Sequence, residues 1–145
     1  MTRVRPGWLV ALCAGILAVS VWLPWLTTSV GGGGRATAIG GTVGSMKLPE
    51  RFGAGQLIVL LTSTLLVAAA MAARGLAPKW AAAAALSISL LIAALTAWYY
   101  YLNVTPPVAA GYGLYIGVAG AVGAVAFSVW TLIETLRAST QRTPK

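Results

Sequence analysis

Acid–base or nucleophilic chemistry in this chain would fall to two glutamates, Glu50 and Glu134, one thiol, Cys13, and five tyrosine hydroxyls, because histidine and aspartate are absent. General acid–base catalysis, proton relays and metal centres draw mainly on His, Asp, Glu and clustered Cys. Neither glutamate has a catalytic neighbour in sequence, so no enzyme activity, metal or other cofactor is expected. Haem is excluded with them, since one Cys and three Met without a His offer no axial pair. Residues 40–47, GGTVGSMK, approach a phosphate-cradling loop, but Lys47 is followed by Leu48 rather than Ser or Thr, and no Asp is present to help hold Mg²⁺.

The spacing that does carry information is one of small residues. Gly113, Gly117, Gly120 and Ala124 recur at helical intervals and line one face of a helix, where close backbone approach replaces the missing hydrophobic force between helices in lipid. That face fits either a seam with a second copy or a membrane-protein partner, or packing within the chain's own bundle. The hydroxyls Thr62, Ser63, Thr64, Ser87, Ser89 and Thr96 are expected to bond between helices, or else to line a pore.

The elements that position these residues follow from composition. With 59% hydrophobic and 8% charged residues, against about 25% charged in soluble domains, the chain belongs in a bilayer. The predicted fold is an all-α membrane protein, one integral domain over residues 1–145, with four transmembrane helices in an antiparallel bundle. The spans fall at about 7–26, 55–73, 80–102 and 112–136, each near the 20 residues that a hydrocarbon core of about 30 Å requires. The first span resembles a signal peptide, but its apolar core runs into Trp22, Leu23, Pro24 and Trp25 without a small-residue cleavage site, so it is read as uncleaved. Cys13 lies inside it and counts as a small apolar residue.

Between the first two spans, residues 27–54 form a Gly-rich outer loop, and Gly40-Gly41 fits a two-residue β-hairpin turn. The consecutive glycines 31–34 read as slack chain. Residues 74–79 make a tight helical hairpin, and residues 103–111, with Pro106-Pro107, a short connection. A polar tail, 137–145, closes the chain. Glu134, a turn from the end of the fourth span, is expected either to pair with Arg137 or to snorkel to the interface.

Basic residues are distributed unevenly along this layout. Arg3, Arg5, Arg74, Lys79, Arg137, Arg142 and Lys145 fall on one side, while Arg35, Lys47 and Arg51 fall on the other. The positive-inside rule then places both termini in the cytoplasm, in contact with anionic headgroups. The net charge of +8 is thereby a signature of the membrane rather than of nucleic acid. Trp22, Trp25, Trp98, Tyr99, Tyr100, Tyr101, Tyr112 and Tyr115 converge on the outer interface and Trp8, Trp80 and Trp130 on the inner one, as anchoring belts.

The Trp22-Leu23-Pro24-Trp25 exit, the Gly/Thr-rich outer loop, Phe52-Gly53-Ala54-Gly55-Gln56 before span two and Gly111-Tyr112-Gly113-Leu114-Tyr115 before span four together resemble a broad class of small four-span membrane proteins of actinobacterial, mycobacterial-like type. The resemblance implies an inner-membrane location and brings no catalytic or binding residues with it. The expected function is that of a non-enzymatic accessory or scaffold subunit of a membrane or cell-envelope complex. The alternative is a small transporter or channel for a small or lipid-like solute.

Overall fold

In a computed structural model of the chain, residues 4–46 and 53–142 are described. Arg3, Lys47, Glu50, Arg51, Phe52 and Lys145, which enter the reading of the sequence, lie outside them. The described residues form four helices, α1 (Pro6–Ser20), α2 (Ala54–Arg74), α3 (Pro78–Asn103) and α4 (Tyr112–Thr140), with three short strands between α1 and α2, β1 (Pro24–Thr28), β2 (Gly34–Thr37) and β3 (Thr42–Gly44), and a fourth, β4 (Val108–Ala110), between α3 and α4. Helices α2, α3 and α4 are long and apolar enough to cross a membrane.

Helix α1 begins at Pro6, whose fixed φ and missing N–H suit the first helical position. It stops at Ser20, six residues before the predicted end of the first span. Pro24 is the cause: its ring disfavours helical backbone at Leu23, and the chain turns through Val21, Trp22 and Leu23 into β1. Fifteen residues make a helix of about 22 Å, shorter than a hydrocarbon core. The segment predicted as the far end of a helix is therefore a strand.

Helix α2 opens with Gln56 Oε1 accepting from the Gly53 amide at 2.9 Å. It closes on a left-handed Gly75, φ +76°, with Leu76 N–H bonded to the Met71 carbonyl at 2.9 Å and Gly75 N–H to Ala72 at 3.2 Å. Pro78 then starts α3 at once, which makes the tight turn predicted from residues 74–79. Helix α4 continues through Thr140, so much of the predicted tail is helical; nothing between Leu136 and Thr140 breaks a helix, and Arg137 lies in its last turn, opposite the dipole's negative end.

The helices close in a ring, α1 against α2, α2 against α3, α3 against α4 and α4 against α1. Their inward residues repeat at alternating steps of three and four: Val10, Ala14 and Leu17; Ile58, Thr62, Leu65 and Ala69; Ala85, Ser89, Ile92 and Thr96; Gly117, Gly120 and Ala124. Those are the periodic positions of one helix face. Leu12, Val19, Leu60, Val67, Leu90, Val122 and Val129 point outward instead, an apolar periphery suited to lipid rather than water.

The strands form one antiparallel sheet in the order β3-β2-β1-β4, so both connections at this end of the bundle contribute to it. Sequence analysis predicted the β2–β3 hairpin but misplaced its turn. The register pairs Ala36 with Thr42 and Arg35 with Val43, and Thr37 N–H bonds to the Gly41 carbonyl at 2.8 Å. The turn is thus Ala38-Ile39-Gly40, with Gly40 at φ +96°, a three-residue loop closed by a glycine that tolerates positive φ. Residues 31–34, read as slack, form a turn that leads into the sheet: Gly33 N–H bonds to the Val30 carbonyl at 3.3 Å, Gly31 is left-handed at φ +64°, and Gly34 enters β2.

Candidate functional site

The sheet is fixed to the helices by Trp25, which sequence analysis assigned to the interfacial belt. Its side chain is fully buried. A bulge in β1 between Pro24 and Leu26 lets two successive side chains, Trp25 and Leu26, both turn inward. The indole Nε1 donates to the Ser20 carbonyl at 2.7 Å, which also accepts from the Leu23 amide at 3.0 Å, so both bonds finish the end of α1. The ring meets Tyr99 of α3 edge to face, centroids 5.1 Å apart and planes at 89°. Its far edge lies against Gly117 of α4, where an added Cβ would stand 2.8 Å from Cζ2. One side chain thus joins the sheet to three helices. Tyr99, also predicted for the belt, is buried by the same contact, whereas Trp22, Trp98, Tyr100, Tyr101, Tyr112 and Tyr115 are exposed.

The predicted stripe of small residues faces this junction and α1. A Cβ on Gly113 would meet Leu23 Cβ at 2.7 Å, and one on Gly120 would meet Leu17 Cγ at 3.0 Å. Ala124 is fully buried. Cys13 packs inward on the same interface, its Sγ 2.9 Å from where a Cβ of Gly123 would be. The stripe thus packs against α1 and β1 of its own chain.

The β2–β3 turn is seated on the start of α2. Gln56 Nε2 donates to the Ile39 carbonyl at 3.1 Å while its Oε1 caps Gly53, and a Cβ on Gly55 would overlap the Ala38 carbonyl. On the other side, Gly111 N–H donates to the Trp25 carbonyl at 2.8 Å and Thr28 Oγ1 to that of Pro107 at 3.4 Å, joining β4 to β1. The outermost strand, β3, is exposed along its length, with Val43 68% accessible.

The hydroxyls predicted to bond between helices turn back on their own. Thr62 Oγ1 donates to the Ile58 carbonyl at 2.6 Å, Ser63 to Val59 at 3.2 Å, Thr64 to Leu60 at 3.1 Å, Ser87 to Ala83 at 2.9 Å, Ser89 to Leu86 at 2.9 Å and Thr96 to Ile92 at 2.8 Å. Back-bonding of this kind satisfies a buried hydroxyl without a partner helix.

At the opposite end, Arg5, Arg74, Lys79 and Arg142 border a cleft of about 620 Å³ between the start of α1, the α2–α3 turn and the last turns of α4. Arg5 reaches across to cap α2, Nη1 donating to the Ala73 carbonyl at 2.8 Å. Gly7 permits this approach, since its Cβ would lie 2.9 Å from Ala73 N. Glu134 lines the cleft as well. It forms no ion pair with Arg137 as predicted; Oε1 accepts instead from Trp130 Nε1, four residues back, at 3.1 Å. In the sequence these basic residues point to membrane orientation and contact with anionic headgroups, and the fold brings Arg5, Arg74, Lys79 and Arg142 around one hollow.

Compared with protein-family models, curated proteins and solved structures, the chain finds no match.

Proposed function

We propose that this protein crosses the inner membrane four times, with both termini cytoplasmic and the sheet outside, and serves as an accessory or scaffold subunit of a membrane or envelope complex. The observation that carries this reading is the sheet itself. Two connections far apart in sequence build one rigid platform, locked into the bundle by Trp25 and Gln56, and its edge strand β3 offers unpaired backbone groups to an extended segment of a partner. A loop that merely connected helices would need none of these ties.

The short α1 is compatible with a span: a helix below the hydrocarbon thickness is accommodated by local thinning and by snorkelling of flanking groups such as Arg5. The excess of basic residues at the opposite end from the sheet supports a cytoplasmic placing of the termini. The transporter alternative gains less support, because the hydroxyls proposed to line its path donate to their own helices.

Affinity purification from native membranes in mild detergent should recover the chain with at least one other membrane or envelope protein. Thr42→Pro, which leaves the helices and the Arg35–Val43 pairing untouched but removes an amide on the free side of β3, should reduce that recovery severalfold. Recovery of the wild-type chain as a lone monomer would defeat the proposal.

A further inference from the structure

The basic cleft is a concentration of charge that the bundle does not use. Among the described residues, Arg74, Lys79 and Arg142 have no hydrogen bond or ion pair through their side chains, and Arg5 donates only to a backbone carbonyl. The cleft contains one carboxylate, Glu134, which is turned toward Trp130. Four cations around a hollow with one acid repel one another, and that repulsion is relieved by an anion of matching charge.

The hollow suits such an anion in size and chemistry. At about 620 Å³ it lies within the range of small-ligand sites. Arg guanidinium groups offer forked donors to phosphate oxygens, and Lys79 adds a compact point charge. Lys79 also lies in the first turn of α3, whose N-cap residue Ala77 supplies no side-chain acceptor. Pro78 and Lys79, the first residues of that helix, both line the cleft, which lies at the positive end of the helix dipole. Thr131 and Thr135 of α4 line the cleft as well, their hydroxyls donating to the Phe127 and Thr131 carbonyls of their own helix.

We propose that the cleft framed by Arg5, Arg74, Lys79 and Arg142 binds a phosphate group, carried by an anionic lipid headgroup or by a soluble phosphate ester. Both sources share the chemistry of a phosphate anion held by forked and point cations. The site is independent of the scaffold reading: it stands or falls whether or not a partner binds the sheet.

The experiment uses the purified full chain. In one arm, nanodiscs of phosphatidylcholine alone are compared with nanodiscs containing phosphatidylglycerol or cardiolipin, reading thermal stability and lipid retained in native mass spectra. In the other, inorganic phosphate and pyrophosphate are titrated into protein in neutral detergent. Binding in at least one arm is expected, and which arm responds identifies the source. The double variant Arg74→Gln/Lys79→Gln, both exposed positions, should weaken that binding tenfold or more, about 1.4 kcal/mol per decade. Glu134→Gln keeps an acceptor for Trp130 but removes the one carboxylate among the described residues that line the cleft, and should tighten binding about two- to fivefold. Arg35→Gln, at the sheet end, should change nothing.

A purely structural role for these residues would not give tighter binding on loss of Glu134. Absence of binding in both arms, or binding that the double variant leaves unchanged, overturns the proposal.

Discussion

Trp25→Ala is expected to destabilise the protein by about 3–5 kcal/mol, the range for truncating a buried aromatic, read as a lowered unfolding temperature in detergent. The loss has identifiable parts. The cavity opens where α1, α3, α4 and the sheet meet, the edge-to-face contact with Tyr99 disappears, and the Ser20 carbonyl loses one of its two donors, keeping the Leu23 amide. Trp25→Phe retains a ring but not Nε1, and should cost about 1 kcal/mol in hydrogen bonding beyond its small volume change. Because the indole ties the sheet down, Trp25→Ala should also speed amide exchange in β1 and β4 more than in the middle of α2. Equal protection of the strands in wild type and variant would mean that the sheet is held by something else.

Gly117→Leu attacks the same junction from the other side. With the position of a Cβ already 2.8 Å from Trp25 Cζ2 and 3.2 Å from Ser20 Oγ, a leucine forces either the indole or α4 to move. Overpacking of this sort costs about 1–3 kcal/mol, and the upper end is expected because the indole is pinned by its hydrogen bond. Gly15→Leu provides the control: nothing lies within 4 Å of its Cβ position, and the new side chain meets only the surroundings. The pair Trp25→Ala and Gly117→Leu should be less damaging together than the sum of the two, since removing the indole makes room for the leucine. Strict additivity would show that the two residues do not share a space.

Helices α2 and α3 were legible to within about two residues because apolar length, Gly75 and Pro78 are local signals. The small-residue face of α4 was legible for the same reason: its period is local. What its residues touch was not, since the contacts come from α1 and from a strand about 90 residues earlier in the chain. Strand β4 was missed altogether. Val108-Ala109-Ala110 has neither length nor alternation to announce a strand, and its partner, β1, was itself concealed inside an apolar run that read as helix.

The belt assignment failed at Trp25 and Tyr99 by the same route. Aromatic residues near a span end suit both an interface and a buried junction, and local sequence does not distinguish them. Pro24, followed by Trp25, Leu26, Thr27 and Thr28, was the available sign that the helix ends early and a β-forming segment begins. The basic cleft lay further out of reach, because Arg5, Arg74, Lys79 and Arg142 come from four separate stretches and meet only when the ring of helices closes.

If, as proposed, the sheet and the basic cleft lie on opposite sides of a membrane, site-directed cysteine labelling will tell the two ends apart. In a Cys13→Ala background, Ser45→Cys beside β3 and Leu76→Cys in the α2–α3 turn place one thiol at each end of the molecule. A membrane-impermeant maleimide applied to intact cells should label Ser45→Cys, and should label Leu76→Cys only after the membrane is opened. Labelling of both positions from the same side, or of Leu76→Cys alone in intact cells, would contradict the account.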